Sequence, residues 1–83
     1  MESQKTILAV DDDPYVLDVV KDCLDSGGYK VITCPNAELA LDHLQNNQVD
    51  LIVVDLGLPD MDGLELTRAF KAQSEAGVII LSG

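Results

Sequence analysis

The sequence predicts an α/β fold built on a parallel sheet, and three observations carry that expectation. Short apolar runs rich in Val and Ile, such as Ile7-Leu8-Ala9-Val10 and Leu51-Ile52-Val53-Val54, are what strands buried on both faces require. Those runs alternate with stretches of helical periodicity, the pattern of βα units. Two of the runs also end in acid: Asp11-Asp12-Asp13 follows one, and Asp55 follows the other.

The first strand is expected over Thr6 to Val10. Pro14 suits the first turn of a helix, where its missing N–H costs nothing, and the Asp residues before it suit the positive helix end. That helix should run to about Ser26, with Leu17, Val20 and Leu24 facing the core and Val16 and Cys23 flanking them on the core side. Gly27-Gly28 ends it, because Gly takes the left-handed stop position without strain. Tyr29 to Thr33 is the second strand. Asn36 can cap a second helix whose Ala37, Ala40, Leu41 and Leu44 keep the i, i+3, i+4, i+7 spacing of one buried stripe. Asn46-Asn47-Gln48 turns into a third strand, Asp50 to Val54. A loop from Leu56 to Asp62 follows, and Asp62 is placed to cap a third helix with Leu66, Ala69 and Phe70 inward. Gly77 leads into a fourth strand, Val78 to Leu81, before Ser82-Gly83.

Right-handed crossovers restrict how these units assemble. Asp11 and Asp55 can share a site only if the third strand lies beside the first, on the side away from the second. The order is then 2-1-3-4, a doubly wound sheet with helix 1 on one face and helices 2 and 3 on the other. Strand order reverses between strands 1 and 3, and open α/β sheets bind ligands outside the carboxyl ends at such a point. Asp11, Asp12, Asp55 and Ser82 all follow carboxyl ends. Neighbouring strands stand ~4.8 Å apart, and like charges that close repel by roughly 4 kcal/mol per pair at an effective dielectric near 20. Such a cluster calls for a cation or a function.

Composition narrows the classes. A chain of 83 residues suffices for one small domain. A formal charge of −10 with five basic residues speaks against nucleic acid or an anionic membrane as a partner of this segment and fits the attraction of cations. No stretch approaches a membrane span, and Met1 to Thr6 lacks a signal-peptide pattern, so a cytoplasmic location is expected. Cys23 and Cys34 lack metal-ligand spacing and are read as reduced thiols. His43 is read as a surface residue.

Hard oxygen ligands with few other donors select a hard cation, most simply Mg²⁺, which leaves positions for a phosphate oxygen. One carboxylate would then be free to attack phosphorus and form an aspartyl phosphate. Metal neutralisation and hydrogen-bond donors supply most of the catalysis in such transfers. Ser82 is placed to be one donor.

Three segments carry a family resemblance: Val10-Asp11-Asp12-Asp13-Pro14, then Asp55-Leu56-Gly57-Leu58-Pro59-Asp60-Met61-Asp62-Gly63, then Ile80-Leu81-Ser82. In this order and spacing, each at a strand end, the chain resembles the receiver domain of two-component response regulators, with a flavodoxin-like fold. The resemblance implies a phosphorylation-dependent switch that accepts a phosphoryl group from a histidine kinase or phosphotransfer protein. It casts Asp55 as phosphoacceptor, Asp12 as a direct Mg²⁺ ligand, Asp11 as acting through a water on the metal, Gly57 as a backbone-carbonyl ligand and Ser82 as the switch hydroxyl. Asp13 reads as a helix-start residue, and Asp60 and Asp62 as turn and cap residues. Simple helix capping is the competing reading for Asp11 and Asp12.

The family fold has five strands and five helices, so residues 1–83 correspond to an incomplete, N-terminal receiver domain. The lysine that the family places after strand 5 has no counterpart here, and Lys30 and Lys71 cannot stand in. Other classes fit less well. An aspartate-nucleophile phosphohydrolase needs a second acid two residues on, where Gly57 stands. An EF-hand over Leu58 to Ala69 would have Leu at its first ligand position and Ala at its bidentate position. A phosphorylation-independent interaction module of the same fold remains open.

A single helix on one face should leave an alternating set from strands 3 and 4 bare: Leu51 and Val53, or Ile52 and Val54, with their counterparts in Val78 to Leu81. The fourth strand would be an open apolar edge. This chain is therefore expected to associate with itself or a partner, or to be poorly stable. Sedimentation velocity should show a weight-average mass that climbs with concentration; a monomeric boundary at high concentration with a cooperative melt would contradict it.

Overall fold

The computed structural model describes residues 4–55 and 57–81. Along the chain run β1 (Thr6–Val10), α1 (Pro14–Ser26), β2 (Lys30–Cys34), α2 (Ala37–Asn46), β3 (Leu51–Asp55), α3 (Gly63–Gln73) and β4 (Gly77–Leu81). The four strands form one parallel sheet in the order β2-β1-β3-β4, as the crossover argument requires. No helix among the described residues is long and apolar enough to cross a membrane.

β1 has the expected bounds, and the other three strands differ from the sequence expectation by one residue. β2 starts at Lys30 and reaches Cys34, because the Asp11 N–H donates to the Cys34 carbonyl at 3.2 Å and prolongs the ladder. β3 starts at Leu51 and includes Asp55, which pairs with Leu81. Asp50 instead acts as a brace: its carboxylate accepts the Thr6 N–H at 2.8 Å while its own N–H donates to the Thr6 carbonyl at 2.8 Å.

The helix starts follow side-chain chemistry. Asp13 caps α1 by accepting the Tyr15 N–H, Asn36 caps α2 through the Leu39 N–H, and Asp62 caps α3 through the Leu64 N–H. Each bond satisfies one of the orphan donors of a first turn. α1 ends where Gly28 takes a φ of 88°, a left-handed conformation that favours glycine.

Alternation along the strands divides the core in two. Leu8, Val10, Ile52 and Val54 face α2 and α3 and pack with Ala37, Ala40, Leu44, Leu66 and Phe70. Ala9 and Val31 face α1 and meet Leu17, with Val20 and Leu24 partly buried beside them. Two helices thus cover one face and one helix the other. Cys23 is exposed, contrary to the expected core-side position. It lies about 90° around the helix from the centre of the Leu17, Val20, Leu24 stripe, and among the described residues no element covers that flank of α1. Cys34 is buried, and burial pushes its thiol above the ordinary value.

The expected bare set is narrower than the sequence suggested. Val53 is buried and Leu51 half-buried. Exposure concentrates on β4, at Ile79 (49%) and Ile80 (39%), one on each face. α3 packs over β3, so the edge strand lies beyond full helix cover on either side.

The larger cluster should dominate stability. Phe70 is fully buried within it, so Phe70→Ala should cost about 3–5 kcal/mol, whereas Tyr15→Ala, on an exposed side chain, should stay within about 0.5 kcal/mol. Urea unfolding of both variants at low protein concentration checks this; similar midpoints would contradict the assignment of the core.

Candidate functional site

β1 and β3 are direct neighbours in register, Ala9 beside Val53 and Val10 beside Val54. The residues that leave their carboxyl ends are therefore side by side. Asp11 and Asp12 follow β1, and Asp55 is the last residue of β3. One carboxylate oxygen from each of the three lies within 4.8 Å of the others. Three of the five residues named from sequence as the site are thus brought together. Gly57 also lies here: a Cβ on it would stand 3.6 Å from the Asp55 Oδ2, so its backbone borders the Asp55 carboxylate. Ser82 lies outside the described residues.

The three acids occupy different environments. Asp11 is buried, Asp55 half-buried and Asp12 exposed. Burial pushes the Asp11 carboxyl above the usual carboxylate range. The Asp13 N–H, donated to its Oδ1 at 2.9 Å, pulls it back, and the charges of Asp55 and Asp12 push it up again. Raised basicity from burial and like charges marks a place where an added cation would be strongly favoured.

The donor set fits a hard divalent ion: carboxylate oxygens, with a backbone alongside and no sulfur or imidazole in the cluster. No described basic side chain neutralises it. The ion pair among the described residues, Lys21 with Asp25 at 2.8 Å, sits on the solvent side of α1. His43 is half-buried, its Nδ1 3.5 Å from the Asn47 amide, and belongs to no acidic cluster.

The remaining acids at this edge serve as caps. Asp13 and Asp62 accept N–H groups of their own helices. Asp60 does something the sequence reading missed. Its carboxylate accepts the Ala37 N–H and the Glu38 N–H, each at 3.0 Å, so it caps α2 rather than shaping only its own loop. These N–H groups hold the Asp60 carboxyl below the usual carboxylate range, Ala37 contributing most. The available signal was the pair of acids at 60 and 62: α3 needs one cap, and the other is free to serve elsewhere.

Comparison with known proteins agrees with this geometry. The profile of the response regulator receiver domain matches residues 7–83. The chain is 39% identical over 83 aligned residues to the transcriptional regulatory protein AruR of Pseudomonas aeruginosa, covering 93% of this chain and 34% of that protein. It is 35% identical over 77 residues to TorR, the TorCAD operon transcriptional regulatory protein of Escherichia coli, covering 93% and 34%. The chain thus spans about a third of the length of the curated relatives it matches. Among solved structures it superposes on a CheY-like receiver domain protein from Methanospirillum hungatei with a TM-score of 0.91 at 38% identity, over 98% of this chain and 66% of that one. The response regulator TrrA of Thermotoga maritima, solved in complex with Mg²⁺-BeF, matches with a TM-score of 0.89 at 32% identity, over 95% and 70%.

Carboxylate repulsion at the edge should be visible in stability. In metal-free buffer near neutral pH, Asp55→Asn removes one of the three charges and should raise the thermal midpoint. Relief of even about 1 kcal/mol corresponds to about 4–8 °C in a domain this small. Adding Mg²⁺ should raise the midpoint of the unsubstituted chain, since an ion that binds only the folded state stabilises it, and should raise that of Asp55→Asn less. Differential scanning calorimetry with and without Mg²⁺ decides; a lower midpoint for Asp55→Asn without metal would contradict the electrostatic account.

Proposed function

The chain belongs to the response regulator receiver domain family, and from that premise we propose that it is a phosphorylation-dependent signalling switch whose acceptor is Asp55. The observation that supports this reading best is the convergence of Asp11, Asp12 and Asp55 within 4.8 Å, at the ends of two adjacent strands. Asp55 has the right mix of properties for an acceptor: half-buried, so partly stripped of water, yet open on the side that Gly57 leaves without a side chain.

In the proposed reaction an Asp55 oxygen attacks the phosphorus of a phosphohistidine on a kinase or phosphotransfer protein. An O–P bond forms as the P–N bond breaks, and the departing electron pair goes to the imidazole nitrogen, which takes up a proton. A bound Mg²⁺ neutralises charge on the phosphoryl oxygens and the carboxylates. Asp12, exposed beside the cluster, is proposed as its direct ligand, Asp11 as an acid acting at one remove, and Gly57 as the source of a backbone carbonyl. Ser82 is proposed as the switch hydroxyl from its place in the sequence alone.

The protein takes part as substrate and scaffold of its own modification rather than as a turnover enzyme. A hydrolase of the aspartate-nucleophile type would carry an acid two residues beyond Asp55, where Gly57 stands. The acidic surface, with a net charge of −10, favours a protein donor with basic or neutral contacts over a nucleic acid. The exposed Ile79 and Ile80 of β4 are proposed as a second contact region, for a further copy or another polypeptide.

Incubation with acetyl phosphate and Mg²⁺ followed by peptide mass mapping tests the reading. One phosphoryl group should appear on Asp55, and leaving out Mg²⁺ should slow its appearance by about a hundredfold. Asp55→Asn should abolish modification while Asp13→Asn, at a cap, should not. Absence of any gain would overturn the acceptor role, and equal loss in both variants would overturn this division between site and caps.

A further inference from the structure

The loop that follows Asp55 is anchored at three points, one of them Met61, which packs half-buried against the larger core cluster. Leu58 is buried in the larger core cluster. Asp60 reaches out of the loop altogether, one oxygen to the Ala37 N–H and the other to the Glu38 N–H, each at 3.0 Å and more than twenty residues back in the chain. The loop's own helix does not need this carboxylate, because Asp62 already caps α3. Nor is it the only acceptor for α2, where Asn36 takes the Leu39 N–H at 2.9 Å.

The two bonds close a ring at the carboxyl edge of the sheet. From Asp55 at the end of β3 the chain passes through Gly57 and Leu58 to Asp60. Asp60 bonds to the first turn of α2, which follows directly on β2. The last residue of β2, Cys34, accepts the Asp11 N–H at 3.2 Å, and Asp11 returns the path to the acid cluster. Every other link in that circuit is backbone or sheet; Asp60 supplies the one side-chain link.

We infer that Asp60 is a positioning residue for the acid cluster: its two-oxygen clamp on the start of α2 holds the loop so that the Gly57 backbone stays against the Asp55 carboxylate. The inference rests on the reading of that cluster as a Mg²⁺-assisted phosphoryl site. A residue of this kind acts through others, much as the hydrogen-bond partners of metal ligands fix ligand orientation. Removing it frees the loop to move away from the cluster while Leu58 still holds its base.

Asn36 provides the matched control, since it caps the same turn through the Leu39 N–H and, among the described residues, makes no hydrogen bond to the loop. Asp60→Ala, Asp60→Asn and Asn36→Ala are compared by Mg²⁺ titration calorimetry and by ¹⁵N backbone order parameters for residues 57–62 in metal-free buffer. Both alanine variants should lower the melting midpoint. Only Asp60→Ala should weaken Mg²⁺ binding, by about tenfold, and lower the order parameters of the loop; Asp60→Asn, which keeps one acceptor oxygen, should fall between. Unchanged loop order and Mg²⁺ affinity in Asp60→Ala would overturn the inference, as would equal weakening by Asn36→Ala, which would reduce it to loss of helix stability. If the unsubstituted chain bound no Mg²⁺, the phosphoryl-site reading would fail, and the loop order parameters alone would decide the clamp.

Discussion

The pairing of β1 with β3 is the constraint on which the rest of this structure depends. It sets Val10 beside Val54 and so obliges the acids that follow to share one edge. Nothing in either strand alone would create a site. Asp11-Asp12 by itself is a helix approach, and Asp55 by itself is a strand end. The mutual repulsion that makes the cluster chemically informative exists only because a βαβαβ path with right-handed crossovers returns the third strand to the open side of the first. The apolar runs that drive that pairing, Leu8 and Val10 with Ile52 and Val54, are among the most deeply buried residues of the chain. Hydrophobic burial thus supplies the force that holds like charges together. The sheet core and the acidic edge are two ends of the same strands.

All three helices begin at this same edge, as parallel βα units require, so three positive helix ends are directed toward the region where the acids lie. This explains why the edge tolerates so many carboxylates. It also explains why acids there divide into two kinds. Asp13, Asp60 and Asp62 each accept at least one backbone N–H of a helix start. Asp12 and Asp55 lie in the cluster and, among the described residues, accept none of the side-chain-to-backbone bonds of this edge. Asp11 does both, joining the cluster while accepting the Asp13 N–H. Its burial and its neighbours' charges raise its basicity against that single bond.

This division marks how far the sequence could be read. Helix starts followed from caps, and the strand order followed from crossover handedness once Asp11 and Asp55 were taken to share a site, because each step rests on short-range chemistry or on a strict topological rule. The role of Asp60 did not. In sequence it is one of two similar acids before a helix, and its partners Ala37 and Glu38 become neighbours only once α2 and the loop after β3 are packed on the same face. Cys23 was misplaced for a related reason. Helical periodicity puts it at the margin of the core stripe, but whether a margin is covered depends on a neighbouring element, and among the described residues α1 is the one helix on its face of the sheet. The bare set was overestimated at Val53, on the α1 face beside Ala9, and underestimated at Ile80, on the α3 face beside Val54; how far a helix extends across the sheet is recorded in no residue pattern.

The uneven cover of the two faces has a consequence for the site itself. On the α2–α3 face the loop after β3 is tied by Asp60, which bonds to the start of α2, and by the buried Leu58. On the α1 face the smaller cluster of Ala9, Leu17 and Val31 offers no comparable tie, and β4 presents Ile79 outward. β4, the strand that pairs Leu81 with Asp55 itself, carries the least helix cover, with Ile79 and Ile80 exposed. β3 thus runs between β1, where the acids meet, and β4, whose apolar side chains lie open.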